Sequence, residues 1–168
     1  MNERNILCID LKSFFASVEC VERNLDPFTT PLIVADPSRK GGAITLAVTP
    51  YMKTLGVPSR GRVFEIPKNI KYITAPPRMS LYVKKSKEVI NCFLDFVSKE
   101  DMHVYSIDEA FLDVTDYLKL YKMDDVTLAK TIMARIKEKT GLTSTCGIGP
   151  NLLLAKVALD IESKHSPD

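Results

Sequence analysis

The order of strand-like and helix-like segments constrains the fold of this chain more than any other feature. A short apolar run at residues 5–9 leads to Asp10 and is followed by a helical pattern over residues 13–22. After residue 77 come a helix, two strands that meet near residue 108, a helix, a strand and a last helix. This succession contains the β-α-β-β-α-β order of a split, ferredoxin-like sheet. The sequence therefore predicts an α+β fold with an antiparallel sheet and helices on one face.

Residues 25–77 interrupt that order. They contain most of the prolines and the adjacent pair Gly41 and Gly42, and both residue types break regular structure. We therefore predict that residues 25–77 form a small insertion and that residues 1–24 and 78–168 form the main domain. The other predicted segments are strands at 32–35 and 43–48, a brief helix at 51–55, a helix at 127–140, a strand at 143–148, and a helix at 151–163 that Asn151 caps.

Composition excludes several classes of protein. The 168 residues are 45% hydrophobic and 26% charged, as in globular domains, and the formal net charge of +2 argues neither for nor against a nucleic-acid partner. No apolar run approaches the roughly 18 residues of a membrane span, and the N-terminus has no signal-peptide pattern. The four cysteines have no CxxC spacing. We expect a cytoplasmic protein without membrane association, whose cysteines are reduced and mostly buried.

Two adjacent acids, Asp108 and Glu109, stand between the strand-like halves of VYSIDEAFLDV, residues 104–114. In the predicted sheet the first strand is central and delivers Asp10 at its end, so three carboxylates from two distant segments converge at one edge. Bound Mg²⁺ or Mn²⁺ would offset their mutual repulsion, and two such ions support in-line phosphoryl transfer. The alternative is a solvated hairpin turn beside an ordinary strand end. The spacing alone leaves both interpretations open.

Three motifs resemble those of a known family. IDLKSFFASVE (9–19), YSIDEAFLDVT (105–115) and CGIGPNLLLAKVALD (146–160) are similar, in order and spacing, to the palm signatures of the Y-family translesion DNA polymerases. The segment VADPSRKGGAITLAVTPYMKTLGVPSR resembles the family's fingers. The chain is identified as ImpB/MucB/SamB-like, in the branch of the polymerase V catalytic subunit of bacterial SOS mutagenesis. The resemblance makes residues 1–24 and 78–168 palm, and residues 25–77 fingers.

The resemblance also implies a catalytic site. Asp10, Asp108 and Glu109 would hold two Mg²⁺ ions, with Mn²⁺ as a substitute, and the backbone carbonyl of Leu11 would be a further ligand. The implied reaction is attack of a primer 3′-hydroxyl on the α-phosphate of a dNTP. The protein would contribute mainly positioning and charge neutralisation. The parent protein would then be a DNA-directed DNA polymerase that acts in DNA damage repair and bypass.

Five residues are predicted to bind the nucleotide: Ser13, Phe14, Phe15, Lys53 and Lys156. The resemblance makes Phe15 the steric gate, whose ring excludes a 2′-hydroxyl by a clash, and leaves Phe14 to the core. Backbone N–H groups near Ser13, at a helix start, suit phosphate oxygens. Lys156 matches the family's AK motif, and a lysine binds phosphate as a compact charge. Lys53 departs from the family pattern, since PYMK stands where many members have Y-x-x-R.

The resemblance further implies regions that this sequence lacks. The family continues into a thumb and a little-finger domain, which grip the DNA duplex. We therefore expect a fragment that alone binds DNA weakly and polymerises poorly. Primer-template DNA and dNTP are the implied partners, and a sliding clamp and recombinase-type SOS factors would bind through the missing regions. The rival functions are a two-metal nucleotidyl cyclase with the same palm and a non-catalytic regulatory module.

Overall fold

A computed structural model describes residues 3–165, with side chains described as far as Ile161. The chain divides into two units. The first unit contains the residues up to Leu11 and those from Val83 onward, and the second unit is Lys12–Tyr82. The predicted insertion, residues 25–77, lies inside the second unit. That unit also includes the first helix, because this helix packs against two strands of the insertion.

Most of the predicted segments form where the sequence places them. The exception is the strand predicted at 43–48, which shortens to its last two residues because Ile44 makes only an isolated bridge to Arg62. The elements in chain order are β1 (Ile6–Leu11), α1 (Phe14–Glu22), β2 (Leu32–Val34), β3 (Ala47–Val48), α2 (Pro50–Thr54), β4 (Ile73–Ala75), α3 (Met79–Leu94), β5 (Met102–Ser106), β6 (Glu109–Asp113), α4 (Leu118–Tyr121), α5 (Asp125–Thr140), β7 (Ser144–Gly149) and α6 (Leu152–His165).

The sheet of the first unit has the strand order β5-β6-β1-β7, and all of its neighbouring strands are antiparallel. This is the order expected of the split β-α-β-β-α-β arrangement, and it places the first strand inside the sheet. The α+β class and the antiparallel sheet are therefore confirmed. The strand β1 is bordered by β6 on one side and β7 on the other, so its C-terminal end meets the β5–β6 hairpin.

One face of this sheet is covered by α6. Side chains alternate along β1, so Ile6 and Cys8 share a face with Phe111 of β6, and they pack there against Ala155 and Leu159 of α6.

The opposite face is covered by α3. Ile9 and Ala110, which lie opposite each other in the ladder, line a small cavity with Ser86, Val89 and Phe93 of that helix. The helices therefore cover both faces, which corrects the prediction that they share one. The prediction of one covered face rested on the β-α-β-β-α-β pattern. That pattern ends with β7, so it does not include α6.

Two glycines of β7 let α6 lie directly on the strand. A Cβ atom at Gly147 would come within 2.1 Å of the Leu159 nitrogen and 2.3 Å of the Ala155 carbonyl oxygen. A Cβ atom at Gly149 would come within 2.5 Å of the Ala155 nitrogen. Only a residue without a side chain allows so close an approach of two backbones. This contact fixes the position of α6, and of Lys156 on it, relative to the sheet.

The second unit has a small sheet and a core of its own. Its strand order is β3-β2-β4, with β2 antiparallel to β3 and parallel to β4. The helix α2 begins at Thr49, whose hydroxyl accepts a hydrogen bond from the Met52 N–H at 3.3 Å. The buried residues that form the core around this sheet are Ile33, Ala35, Ala43, Val48, Met52, Val57 and Ile66.

The sequence predicts reduced, mostly buried cysteines and no membrane association. All four cysteines carry free thiols, and Cys8, Cys20 and Cys92 are buried. Burial raises the pKa of the Cys20 thiol to about 11, so it stays protonated and unreactive. Within residues 3–165, no helix combines the length and the apolar composition that crossing a bilayer requires.

Candidate active site

Two strands of the first unit bring carboxylates together. Asp10, near the C-terminal end of β1, lies directly opposite Glu109, the first residue of β6. Residues opposite each other in an antiparallel pair point to the same face, with Cβ atoms about 5 Å apart. The fold therefore makes neighbours of two acids that are far apart in the sequence.

Asp108 lies in the turn between β5 and β6. The Leu11 N–H donates to the Asp108 carbonyl oxygen at 2.9 Å, which ties the turn to the end of β1. The Ser106 hydroxyl donates to the Asp108 carboxylate at 2.9 Å. From α3, the Ser86 hydroxyl donates to the Ile107 carbonyl oxygen at 2.6 Å. These bonds hold a turn that contains neither glycine nor asparagine.

Lys156 of α6 neutralises Glu109. Its Nζ lies 2.5 Å from Glu109 Oε1 and 3.6 Å from Asp160 Oδ1. The Glu109 side chain is 9% exposed, whereas that of Lys156 is 35% exposed. Burial alone would lower the pKa of Lys156, but the hydrogen bond and the attraction to Glu109 outweigh it and raise that pKa. The lysine is therefore charged at neutral pH and within reach of solvent.

Cys8 is a further partner of Glu109 that the sequence analysis missed. Its thiol donates to Glu109 Oε1 at 3.3 Å. Burial raises the pKa of this thiol, and the neighbouring carboxylate raises it further, so Cys8 acts as a neutral donor. The sequence contained a signal for this contact. Cys8 lies two positions before Asp10 on the predicted strand, and residues two positions apart on a strand point to the same face of the sheet.

The oxygens at this edge fit a divalent cation by their chemistry, since carboxylates and carbonyls are the ligands that hard cations prefer. Within the described part of the chain, however, no three His, Cys, Asp or Glu side chains are grouped so that they could hold a metal ion. Glu109 is bonded to a lysine and a thiol, and Asp108 to a serine. Lys156 and Cys8 both bond to Glu109 Oε1, so a cation shared with Asp10 would compete with Lys156 for this carboxylate.

The remaining predicted site residues belong to the second unit. Phe14 is 4% exposed and lies in the core, while its neighbour Phe15 is half-buried. Successive residues of a helix point about 100° apart, which accounts for the difference. Lys53 is exposed on α2.

Ser13 directly precedes α1 but does not cap it through its side chain. Its backbone is left-handed, with φ of 46°, and its hydroxyl makes no capping bond. Instead, the Ser17 hydroxyl donates to the Lys12 carbonyl oxygen at 2.7 Å. Position Ser13 is still the last before the helix, and the first N–H groups of a helix have no partner within it. The start of α1 therefore keeps the donors that suit an anion.

Sequence comparison places these motifs in a family. The family model described as impB/mucB/samB matches residues 9–160. The chain belongs to that family. The matched region contains the three acids and Lys156, and the resemblance found in the motifs is thereby confirmed.

Two curated relatives come from Bacillus subtilis (strain 168). The putative UV-damage repair protein UvrX is 41% identical over 164 residues, which cover 97% of this chain and 38% of the relative. DNA polymerase IV 2 is 35% identical over 167 residues, which cover 99% of this chain and 40% of the relative. A solved structure, an insertion ternary complex of Dbh DNA polymerase, is 29% identical with a TM-score of 0.80, covering 97% of this chain and 46% of that one. The chain thus spans less than half the length of each.

Proposed function

We propose that this chain is the palm and fingers portion of a translesion-type DNA polymerase that acts in DNA damage repair and bypass. Its membership of the impB/mucB/samB family supports the class of protein, and its relatives include a protein named as a DNA polymerase. The observation that carries the proposal is the placement of Asp10 opposite Glu109, with Lys156 bonded to Glu109. The proposed reaction transfers a nucleotide from dNTP to a primer 3′-hydroxyl and releases pyrophosphate.

The first unit would hold the reacting phosphate. Asp10, Asp108, Glu109 and the Leu11 carbonyl are the proposed ligands of two Mg²⁺ ions, with Mn²⁺ as a substitute. Bound divalent ions supply charge neutralisation at the attacking and leaving oxygens. Lys156 has a different role, because a charged lysine whose side chain is partly exposed to solvent can exchange one anion for another. Released from Glu109, it binds a triphosphate oxygen.

The second unit would hold the sugar and the rest of the triphosphate. The N–H groups at the start of α1, after the left-handed Ser13, are the proposed donors to phosphate. Phe15 is the proposed steric gate, and Phe14 anchors the helix in the core beneath it. Lys53 supplies a looser phosphate contact than the arginine of many family members would, since it lacks a fixed planar fork.

We further propose the subdomains, partners and setting of the whole protein. Residues 1–24 and 78–168 are assigned to the palm and residues 25–77 to the fingers. Primer-template DNA and dNTP are the substrates, and the protein acts in the cytoplasm as part of the SOS-mutagenesis branch. A sliding clamp and recombinase-type SOS factors are proposed to bind outside the present sequence.

Primer extension by the full-length protein tests this function. With primer-template, dNTP and Mg²⁺, we expect metal-dependent extension, and the 168-residue chain alone should extend poorly. Asp108→Asn should abolish extension and leave DNA binding largely intact. Asp116→Asn is the matched control, because Asp116 has a side chain that is 79% exposed, and it should not alter extension.

Three results would contradict the proposal. Unchanged extension by Asp108→Asn would exclude the proposed role of these carboxylates as metal ligands in catalysis. A cyclic product from NTP alone would identify a nucleotidyl cyclase. DNA binding without extension, under every metal condition, would identify a non-catalytic module of the same fold.

A further inference from the structure

The row of residues that contains Glu109 and Asp10 continues to Thr145. Asp10 lies opposite Glu109 in the ladder between β1 and β6, and opposite Thr145, the second residue of β7, in the ladder between β1 and β7. Directly opposite residues of antiparallel strands point to the same face of the sheet, with Cβ atoms about 5 Å apart. The side chain of Thr145 is therefore a neighbour of Asp10, on the side away from Glu109.

The hydroxyl of Thr145 is buried and makes no hydrogen bond to the residues that the structure describes. Thr145 is 1% exposed, and its Oγ1 atom has no partner among these residues. A buried polar atom without a partner costs free energy, so native proteins contain few of them. Valine has nearly the same shape and would avoid this cost. Packing alone therefore does not explain a threonine at this position.

A carboxylate that binds a metal ion is normally held by hydrogen bonds from a second layer of side chains. These bonds fix the orientation of the carboxylate oxygens, and their loss weakens metal binding. The hydroxyl of a threonine can donate such a bond, and its β-branched side chain adopts few rotamers. A bond from Thr145 would therefore restrain Asp10 at a small cost in conformational entropy.

Neutral donors also hold the other two acids that are proposed as metal ligands. Glu109 accepts from the thiol of Cys8 at 3.3 Å, and Asp108 accepts from a serine hydroxyl at 2.9 Å. A neutral donor orients a carboxylate without cancelling its negative charge, which stays available to a cation. The hydroxyl of Thr145 is a neutral donor of the same kind, placed beside Asp10.

We propose that Thr145 is a positioning residue for Asp10: its hydroxyl donates to the Asp10 carboxylate when that carboxylate binds a divalent cation. The inference rests on the proposed function, since it takes Asp10 as a cation ligand. Thr145 touches neither the cation nor the nucleotide and acts only through Asp10. The hydroxyl then gains a charged acceptor, so the free energy lost by burying it is recovered when the cation binds.

The first test is Mn²⁺ binding by the full-length protein, titrated with Mn²⁺ alone and followed by the electron paramagnetic resonance signal of free Mn²⁺. The binding that Asp10→Ala abolishes identifies the site. Thr145→Val removes the hydroxyl and keeps the shape, and it should weaken this binding about ten- to a hundredfold. Thr145→Ser keeps the hydroxyl and should bind nearly as tightly as the wild type. Unchanged affinity in Thr145→Val, or an equal loss in Thr145→Ser, would overturn the inference.

Stability distinguishes this role from a merely structural one. Because the described residues offer the hydroxyl no bond, Thr145→Val should not lower the urea midpoint measured without divalent cations. A lower midpoint together with wild-type Mn²⁺ affinity would assign the hydroxyl to the fold and overturn the inference. If Thr145→Val does not fold, Thr145→Ala takes its place in the titration.

The matched control is Ser144→Ala. Ser144 is the neighbouring residue of β7, it is 4% exposed, and its hydroxyl also has no partner among the described residues. It lies opposite Leu11 rather than Asp10, so its side chain points to the other face of the sheet. Ser144→Ala should leave Mn²⁺ affinity unchanged. A loss as large as that of Thr145→Val would make the effect a general one of β7 and overturn the inference.

The second test is the Mg²⁺ dependence of primer extension. In Thr145→Val, the Mg²⁺ concentration that gives half of the maximal rate should rise at least about tenfold, while the rate at saturating Mg²⁺ approaches that of the wild type. Excess cation compensates for a weakened ligand, but it does not repair a distorted fold. An equal loss of rate at every Mg²⁺ concentration would therefore overturn the inference.

The outcomes separate this inference from the function beneath it. If Asp10→Ala binds Mn²⁺ as well as the wild type does, the proposed metal site and the inference are both overturned. If the wild type binds Mn²⁺ through Asp10 but extends no primer, only the polymerase proposal is overturned, and the Mn²⁺ titration still decides the role of Thr145. Binding that is lost in Asp10→Ala and unchanged in Thr145→Val would overturn the positioning role alone.

Discussion

The two units of the chain each hold a glutamate in a different way. In the second unit, Glu19 has no exposed surface and accepts hydrogen bonds from two arginines and a tyrosine. In the first unit, Glu109 is 9% exposed, and its partner Lys156 is 35% exposed. Solvent reaches the cationic partners of both carboxylates, since Arg78 is 45% exposed, but Glu19 also accepts from the fully buried hydroxyl of Tyr82 and from a second arginine. A carboxylate with several donors, one of them buried, is held rigidly, whereas a carboxylate paired with one partly exposed lysine can exchange that partner.

Removal of the enclosed carboxylate should have the largest effect. Glu19→Ala leaves the buried Tyr82 hydroxyl without its acceptor, which costs about 1–3 kcal/mol, and the cavity left by the deleted side chain adds to this cost. Urea denaturation of the full-length protein measures the loss. Glu22→Ala is the control, because Glu22 is exposed on the same helix and its removal should cost within about 0.5 kcal/mol. Equal losses in the two variants would contradict the comparison.

A substitution that displaces α6 from the sheet should destabilise the first unit without removing a charged group. Gly147→Ala would place a Cβ atom 2.1 Å from the backbone of Leu159, and such overpacking costs about 1–3 kcal/mol. Because α6 carries Lys156, we also expect slower nucleotide incorporation. Gly42→Ala is the control, since its Cβ atom would meet nothing within 4 Å. Similar melting temperatures for the two variants would show that α6 does not depend on this close approach.

Acid pH should remove the contribution that the charge of Glu19 makes to the stability of the fold. Its folded pKa lies below the ordinary value of 4.5, because the donors outweigh burial, so the stability that its charge contributes is present above that value. This stability is lost as the pH falls through the lower, folded pKa. The difference in urea midpoint between the wild type and Glu19→Gln should therefore shrink in acid. A difference that stays constant from neutral pH downward would show that the charge contributes nothing.

Loss of the ion pair between Lys156 and Glu109 should have the smallest effect on stability and a much larger effect on activity. Lys156→Gln should change the free energy of unfolding by less than about 1 kcal/mol, because solvent reaches the Lys156 side chain, which is 35% exposed. Nucleotide incorporation should fall by at least about tenfold, the scale of one lost charge contact. Lys130→Gln, an exposed lysine of α5, is the control for both measurements. A large loss of stability with normal incorporation would reverse the roles assigned to the two glutamates.

The sequence predicted the parts of the fold that depend on local signals. The helix α5, predicted at 127–140, begins two residues earlier, after Asp124, whose carboxylate accepts from the Thr127 N–H at 2.7 Å, and it ends before Gly141, with φ of 77°. Asn151 accepts from the Leu154 N–H at 2.8 Å, as its position before the last helix predicts. The short apolar run before Asp10 likewise predicts a buried strand, and Asp10 lies near the end of this interior strand.

Features that depend on distant contacts could not be predicted in this way. The face chosen by α6 follows from how closely two backbones approach at Gly147, which no local pattern encodes. The bond between Glu109 and Lys156 depends on side-chain orientations in the folded state. The stack of Phe15 on Tyr82 joins two distant segments of the second unit, which no local pattern encodes.

The interior position of β1 has a consequence for how the protein is made. This strand leaves the ribosome before its partners β6 and β7, which end only at Asp113 and Gly149. The sheet of the second unit needs nothing beyond Ala75. At about 5–20 residues per second, the nascent β1 waits on the order of ten seconds with both edges unpaired. We therefore expect the strand that carries Asp10 to be the segment that chaperones protect during synthesis.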